Sequence, residues 1–300
     1  MRRLALASLC LAMAACQTKQ SVSLHMDHSL ESLVPADVVL VAGANLEAIR
    51  KSPVYQKLVS HFPVPQLEAF SRQTGVDPNK DVLQALFCSD GKRGLFIARG
   101  KFRQPDIESH LKSNGATEFN YKKYRIFGDE QNAVVFLDDS TAVVGPAARL
   151  RSLIDEPQAS RGLPQPLAAL LRSLPASAQI YAAFIGGVSG FDVPLPKTEM
   201  LANLGQVLQS VDSAALGIEL DGGLNATARI NSKTERDAKF VHDMVKGLVG
   251  FGRLNAPPNQ PELLKLYDAI HVDQQQMLTV INADLAPDQI DRLLAMESKR

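Results

Sequence analysis

The amino-acid sequence predicts an α+β protein of two similar subdomains, each a mostly antiparallel sheet with helices packed on one face. Three observations lead to this fold class. Short apolar runs of strand type come in adjacent pairs separated by turn residues, which favours antiparallel pairing. Segments with helical spacing follow these pairs. The same order of elements occurs twice along the 300 residues, which predicts an internal duplication.

The first elements of each half are a strand and a hairpin. The predicted opening strands are residues 38–42 and 178–182. The hairpins are predicted at 85–99 and 216–229, where Asp90 and Asp221, each followed by glycine, separate two apolar runs. Asp-Gly between such runs is a strong hairpin signal, because glycine supplies the positive φ that a tight turn needs.

A helix and further strands complete each half. The helices are predicted to begin near Gln104 and near Ser232, where Ser232 and Glu235 have the spacing of a capping box. Further strands are predicted at residues 124–127, 133–137 and 141–144 in the first half and at 269–272 and 277–281 in the second. Each half then ends in a predicted helix, at 147–153 and at 288–296.

The first sixteen residues resemble the signal of a bacterial lipoprotein. Arg2 and Arg3 form a basic start, an uncharged run of residues 4–15 follows, and Met13-Ala14-Ala15-Cys16 is similar to a lipobox in which Met13 replaces the usual leucine. The resemblance implies cleavage after residue 15 and palmitate-type acylation of Cys16. Twelve helical residues reach roughly 18 Å, too short for a hydrocarbon core of roughly 30 Å. An ordinary cleavable secretory signal is the alternative.

This resemblance implies a protein anchored to the membrane of the bacterial cell envelope by its N-terminal lipid and facing the periplasm. Gln17 follows the cysteine, whereas an aspartate there favours inner-membrane retention in enterobacterial lipoproteins, so we expect the outer membrane. The predicted organisation is a signal peptide at 1–15, a lipid-anchored tether at 16–33, a first subdomain at 34–156, a connector at 157–173 and a second subdomain at 174–300.

Composition excludes some function classes. The chain has 32 basic and 32 acidic residues, and removal of residues 1–15 takes away Arg2 and Arg3, which leaves 30 basic residues. This balance argues against nucleic acid as a partner, because phosphate binding needs a concentrated basic surface. Of the cysteines, Cys10 is removed with the signal peptide and Cys16 is acylated. Cys88 is therefore predicted to be a buried thiol without a disulfide partner.

The motifs of catalysis and metal binding are incomplete in this sequence. Around Ser189, the segment that begins at Gly187 has Phe191 where a nucleophile elbow requires a second glycine. His25 and His28 have metal-ligating atoms, but they lie in the predicted tether, where ordering them costs entropy. No glycine-rich phosphate-binding loop is present either. We therefore expect no catalytic residue, no metal and no cofactor.

One loop favours a binding role. Residues 184–196 mix glycines with apolar side chains, and a loop of this kind is able to contact a hydrophobic ligand or a partner protein. The candidate residues are Phe184, Ile185, Gly187, Phe191 and Leu195. Residues 249–258 are a second candidate of the same kind. A connection that only packs against the core is the alternative interpretation of both segments.

The mature part is similar to uncharacterised bacterial envelope proteins with duplicated α+β units. The similarity rests on Pro35-Ala36-Asp37 before a strand, Asn45-Leu46 after it, and Lys51-Ser52-Pro53, followed by Thr74-Gly75-Val76-Asp77-Pro78 before Asp81-Val82. It implies no catalytic residue. We expect a non-enzymatic binding or scaffold role in the envelope, for a hydrophobic small molecule or another envelope protein. The alternative is a hydrolase whose catalytic site is assembled only in three dimensions.

Overall fold

Within the part of the chain that the structure describes, the alternating apolar runs of the sequence form one antiparallel sheet of twelve strands. The structure is a computed structural model that describes residues 25–61, 65–186 and 209–297. The strands are β1 (Leu40–Asn45), β2 (Val82–Ser89), β3 (Gly94–Gly100), β4 (Thr117–Tyr121), β5 (Tyr124–Gly128), β6 (Ala133–Asp138), β7 (Thr141–Gly145), β8 (Ile180–Ile185), β9 (Val211–Glu219), β10 (Leu224–Ser232), β11 (Ile270–Gln275) and β12 (Leu278–Leu285).

Helices precede, separate and follow these strands in the chain. They are α1 (His28–Glu31), α2 (Leu46–Lys51), α3 (Pro53–His61), α4 (Pro65–Thr74), α5 (Gln104–Ser113), α6 (Ala147–Asp155), α7 (Gln165–Arg172), α8 (Glu235–Leu254), α9 (Pro261–Asp268) and α10 (Pro287–Glu297). A short 3-10 helix, Gln158–Ser160, precedes α7 within the predicted connector. The predicted α+β class with antiparallel strands is confirmed.

The two predicted sheets are joined into one. The strand order is β11-β12-β10-β9-β8-β1-β2-β3-β7-β6-β5-β4, so that β8 and β1, the opening strands of the two halves, are neighbours. They pair antiparallel, with Leu40 opposite Phe184 and Ala44 opposite Ile180. In a separate sheet each of them would be an edge strand with a row of unpaired backbone groups, and their mutual pairing satisfies these groups.

The strand order is the same on the two sides of this β1–β8 junction. Going outward, it is β1-β2-β3-β7-β6 on one side and β8-β9-β10-β12-β11 on the other. A helix follows the third strand of each series, α5 after β3 and α8 after β10. The first half continues outward with the additional hairpin β4–β5, of which only the second strand was predicted.

Helices cover both faces of the sheet in the first half, whereas one face was expected. Successive residues of β2 and β3 belong to different clusters. Leu86 and Ile97 lie in the core that α1, α6 and α7 cover. Their neighbours Ala85 and Ala98 pack with Ile107 of α5. Because successive side chains of a strand point to opposite faces, the two clusters lie on opposite sides of the sheet. The predicted connector is therefore part of the hydrophobic core, since Leu167 of α7 is fully buried.

Part of the predicted tether is folded. Residues 25–33 were assigned to a polar linker, but Met26 is 6% and Leu30 0% exposed, and both belong to the main core. Asp27 accepts a hydrogen bond from the amide of Ser29 and caps α1. The prediction was wrong here because only two side chains in a polar stretch are buried, which is too few to produce a periodic signal.

The start and end of α8 also differ from expectation. The N-cap is Thr234, whose hydroxyl oxygen accepts from the amide of Asp237, while Ser232 is the last residue of β10. The capping arrangement is thus shifted by two residues. The second candidate loop, 249–258, is helical as far as Leu254.

A tyrosine between two glycines occupies the centre of the sheet. Tyr181 of β8 lies opposite Gly43 of β1 on one side and opposite Gly217 of β9 on the other. The Tyr181 side chain is 2% exposed, and a Cβ atom at Gly43 would collide with the end of its ring. An aromatic ring that covers a glycine on the neighbouring strand is a known means of fixing register.

We expect Gly43→Ala to destabilise the protein by about 1–3 kcal/mol, because the added methyl group overpacks the β1–β8 junction. The free energy of unfolding is measured by urea denaturation followed by circular dichroism. Gly222→Ala is the matched control, because no atom lies within 4 Å of a Cβ at that exposed turn position. The explanation fails if both variants lose the same stability, or if Gly43→Ala and Tyr181→Ala are strictly additive in the double variant.

Candidate functional site

The loop residues singled out from the sequence are only partly described by the structure. Phe184 and Ile185 are half-buried residues at the end of β8, where Ile185 pairs with Ser213 of β9. Gly187, Phe191 and Leu195 lie outside the described residues, as do Cys16 and Ser189. These candidates therefore stay predictions.

An apolar cavity of about 330 Å³ lies elsewhere, between α3, α9, α10 and the ends of β10 and β12. Nine of the ten residues that line it are apolar. They are Leu58, Leu224, Leu263, Leu266, Leu285, Ile290, Leu293, Leu294 and Met296, and the tenth is Gln260. We call this space the α9–α10 cavity. Its volume falls within the range of about 300–1,000 Å³ that is typical of small-molecule sites.

The cavity walls follow from ordinary sequence patterns. In α10, Ile290, Leu293 and Leu294 are three and four residues apart, so they share one face of the helix. Leu263 and Leu266 have the same relation in α9. Leu224 and Leu285 are paired opposite each other at the ends of β10 and β12, and both line the cavity.

Ion pairs hold the helices of the cavity in place. Lys57 of α3 contacts Asp291 of α10 at 2.6 Å. Glu262 of α9 contacts Arg292 of α10 at 3.5 Å and Lys265 of its own helix at 3.1 Å. Pairs with at least one partner open to solvent contribute little to stability individually, but together these pairs connect the three helices around the cavity.

Gln260 is the polar exception in the lining. It is the N-cap residue of α9, but its side chain makes no capping hydrogen bond. Its Oε1 atom is buried and has no hydrogen-bond partner. Glu262, two residues further on, has the same property at Oε2. Buried polar atoms in proteins are nearly always paired, so an unpaired one beside a cavity needs an explanation.

A second depression of the surface is polar, and its charged side chains form hydrogen bonds and ion pairs with other residues of the protein. Its volume is about 630 Å³, and Asp37, Arg149 and Asp155 are among its lining residues. Arg149 is buried and forms two hydrogen bonds to Asp37, at 2.8 and 3.0 Å. Asp155 accepts from the Tyr121 hydroxyl at 2.6 Å and pairs with Lys122. The charges of Asp37, Arg149 and Asp155 are thus neutralised within the fold.

Cys88 has none of the properties of a catalytic thiol. It is fully buried in the main core, and burial raises the pKa of its thiol to about 12. A nucleophilic cysteine requires the opposite, because the thiolate is the reactive form. Within residues 25–61, 65–186 and 209–297, no group of three or more His, Cys, Asp or Glu side chains has the arrangement of a metal site. In the same ranges, no helix combines the length and hydrophobicity that crossing a bilayer requires.

The fold and the cavity define an α+β protein with one continuous antiparallel sheet and a helix-walled apolar cavity. Two solved structures that the chain matches are crystal forms III and I of TP0453, an envelope protein of Treponema. Form III has a TM-score of 0.50 at 10% identity, covering 90% of this chain and 98% of that chain. Form I has a TM-score of 0.48 at 10% identity, covering 94% and 98%. The likeness to form III shows a shared fold. No protein-family model and no curated protein matches the sequence.

We expect Cys88 to be unreactive toward thiol reagents at pH 8 in the folded protein. A rise of its pKa to about 12 lowers the thiolate fraction by about 1,000-fold or more relative to a free cysteine, and burial blocks access as well. The measurement is the rate of labelling by a thiol reagent in the mature chain with Cys16→Ser. Ser60→Cys at the exposed end of α3 provides a reactive control. Equal labelling rates at the two positions would contradict the buried placement of Cys88.

Proposed function

We propose that this protein is a lipid-anchored binding protein of the bacterial cell envelope that holds a hydrophobic small molecule in the α9–α10 cavity. The observation that carries the proposal is a cavity of about 330 Å³ whose lining is apolar at nine of ten positions. This is about twice the volume of a Leu/Ile/Phe-lined cavity of about 150 Å³ that binds benzene. The cavity thus has room for a ligand of roughly twelve carbon atoms.

The expected affinity is modest. At ~0.5 kcal/mol per non-hydrogen atom, between the limits for very small and for drug-sized ligands, twelve carbon atoms give a binding free energy of roughly −6 kcal/mol. This corresponds to a Kd of tens of micromolar. Such an affinity suits a protein that takes up and releases its ligand rather than one that stores it.

The anchor is the second part of the proposal. The lipobox-like Met13-Ala14-Ala15-Cys16 supports acylation of Cys16, and Gln17 supports the outer membrane as the site of attachment. Two or more acyl chains give stable anchoring, since each buried methylene contributes about 0.8 kcal/mol. His25 and Met26 already belong to the folded body. Nine residue steps from Cys16 span at most about 30 Å, so the body stays close to the membrane surface.

Binding is tested with the fluorescent probe 1-aminonaphthalene, which is small enough for the cavity, and the mature chain carrying Cys16→Ser. The protein has no tryptophan, so the probe is observed without that background. We expect saturable binding that Leu263→Phe combined with Leu293→Phe weakens at least 10-fold, because the larger rings project into the cavity and change its shape.

The matched control for this experiment combines Val59→Phe with Leu248→Phe. These positions are 36% and 37% exposed and do not line the cavity, so probe affinity should stay unchanged. Absence of saturable binding in the unsubstituted chain, or equal affinities of the two double variants, would rule out the α9–α10 cavity as a binding site.

Acylation is tested by the intact mass of the native protein purified from membranes and by incorporation of an alkyne-labelled palmitate. We expect a chain that begins at Cys16 and carries the added mass of acyl chains, and we expect Cys16→Ala to lose the label. A native chain that retains Met1, or one that shows no added mass at its N-terminus, would refute the anchor.

A further inference from the structure

Strand β11 lies at one edge of the sheet. Among the described residues, β12 is the strand that pairs with it, and its other side has no strand neighbour. In the series of the first half, β6 holds the corresponding fifth position, and β5 pairs with its outer side. The fold thus accepts a further antiparallel strand at this position in one half, while the other half leaves the position open.

Two exposed ionisable side chains, His271 and Asp273, distinguish this edge. Within the part of the chain that the structure describes, neither forms an ion pair or a side-chain hydrogen bond. Native proteins often protect an open edge with proline, lysine or a bulge. Residues 270–275 contain neither proline nor lysine, and their register with β12 is regular. A base and an acid two residues apart instead suit a strand that offers the same two groups in reverse order.

The direction of the backbone groups in β11 follows from its pairing with β12. Directly before β11, Ala269 O accepts from the Asp284 amide at 3.2 Å. Hydrogen-bonded and non-hydrogen-bonded pairs alternate along an antiparallel ladder, so Ile270, Val272 and Gln274 do not bond to β12. Their N–H and C=O groups point away from the sheet, toward the open side of the edge.

The side chains of β11 alternate between the two faces of the sheet. Thr279 lies opposite Gln274, and its hydroxyl donates to a backbone carbonyl of α8, so α8 covers the face to which Gln274 and Val272 belong. The Val272 side chain lies beneath this helix, which explains why the residue is only 6% exposed. His271 and Asp273 project from the opposite face, and both are exposed there.

We propose that two copies of this chain associate through β11, with the two strands antiparallel about a two-fold axis at Val272. Val272 then lies opposite Val272 of the other copy, and Ile270 lies opposite Gln274. These are the residues with outward backbone groups, so each pair exchanges both of its N–H···O hydrogen bonds. His271 of each copy lies opposite Asp273 of the other, where an imidazole N–H donates to the carboxylate.

The order of residues in β11 favours this register over its neighbours. A two-fold axis at His271 places histidine opposite histidine, and an axis at Asp273 places aspartate opposite aspartate. Opposite charges across a strand pair stabilise it, whereas like charges destabilise it. The axis at Val272 also puts His271 and Asp273 at non-hydrogen-bonded pairs, where side chains come closest. Because the interface is one strand wide, we expect a weak and reversible dimer.

Disulfide trapping tests the register even in a weak dimer. One mature chain carries His271→Cys and another carries Asp273→Cys, both with Cys16→Ser. In the proposed dimer the new cysteines lie opposite each other with Cα atoms about 4.5 Å apart, which a disulfide can bridge. Mild oxidation of the mixture should cross-link about 10-fold faster than oxidation of either variant alone, because identical positions are offset along the two strands. The buried Cys88 should not take part.

An exchange of the two ionisable residues tests the pairing by sedimentation equilibrium. In the mature chain with Cys16→Ser, His271→Asp places carboxylates opposite each other and should weaken the dimer about 10-fold. His271→Asp combined with Asp273→His restores a complementary pair and should recover the affinity. Asn120→Asp, at an exposed position of the other edge strand β4, is the matched control and should leave the affinity unchanged. Thermal melts by circular dichroism establish that each variant is folded.

The dimer and the binding function are tested separately, because neither His271 nor Asp273 lines the α9–α10 cavity. The inference about β11 is wrong if the mixture cross-links no faster than the single variants. It is also wrong if the unsubstituted mature chain stays monomeric at every concentration, or if the exchanged variant associates no better than His271→Asp. An equal loss of affinity in Asn120→Asp would assign the association to β4 instead.

Discussion

The pairing of β1 with β8 is the interaction on which the rest of the structure depends. It connects two series of strands that share the same order into a single sheet, and it leaves neither opening strand with an exposed edge. Tyr181 lies at the centre of this junction, opposite two glycines. The N-terminal segment closes over it, because the His25 ring lies 5.5 Å from that of Tyr181 and His25 Nε2 hydrogen-bonds to Leu171 O at 3.0 Å.

The junction also determines where the cavity is. The chain leaves β1 through α2 and α3, and these helices pack on elements of the second half as well as on the first. Ile49 and Val54 lie in one cluster with Leu220 and Ile290, and the Ser52 hydroxyl donates to Leu220 O. Leu58 of α3 then forms part of the cavity wall. The cavity therefore contains side chains from both halves, so the second half alone would leave it open on the α3 side.

Local signals in the sequence predicted the parts of the fold that local interactions determine. Asp90-Gly91 and Asp221-Gly222 specify the two hairpins through turn geometry, and both are present. The union of the two sheets depends on residues 136 positions or more apart, such as Ala44 and Ile180, and no local pattern encodes it. Gly43 within an apolar strand was the available signal, since a glycine there indicates close approach by a neighbouring group.

The cavity was not predicted for a related reason. Leu263, Leu266, Leu293 and Leu294 have the spacing of ordinary core positions, and periodicity shows that a face is apolar without showing whether another side chain fills the space beside it. Gln260 is likewise indistinguishable in sequence from a helix-capping residue. Only the three-dimensional arrangement shows that its oxygen is left unpaired.

The proposed anchor places the α9–α10 cavity in competition with the membrane for a hydrophobic ligand. A hydrophobic ligand near a bilayer divides itself between the lipid and the protein, and each methylene gains about 0.8 kcal/mol in either environment. The contributions of the aliphatic chain thus nearly cancel, and a longer chain favours neither side. Under the proposed function, a ligand therefore leaves the lipid only if its shape fits the α9–α10 cavity better than the surrounding lipid chains do.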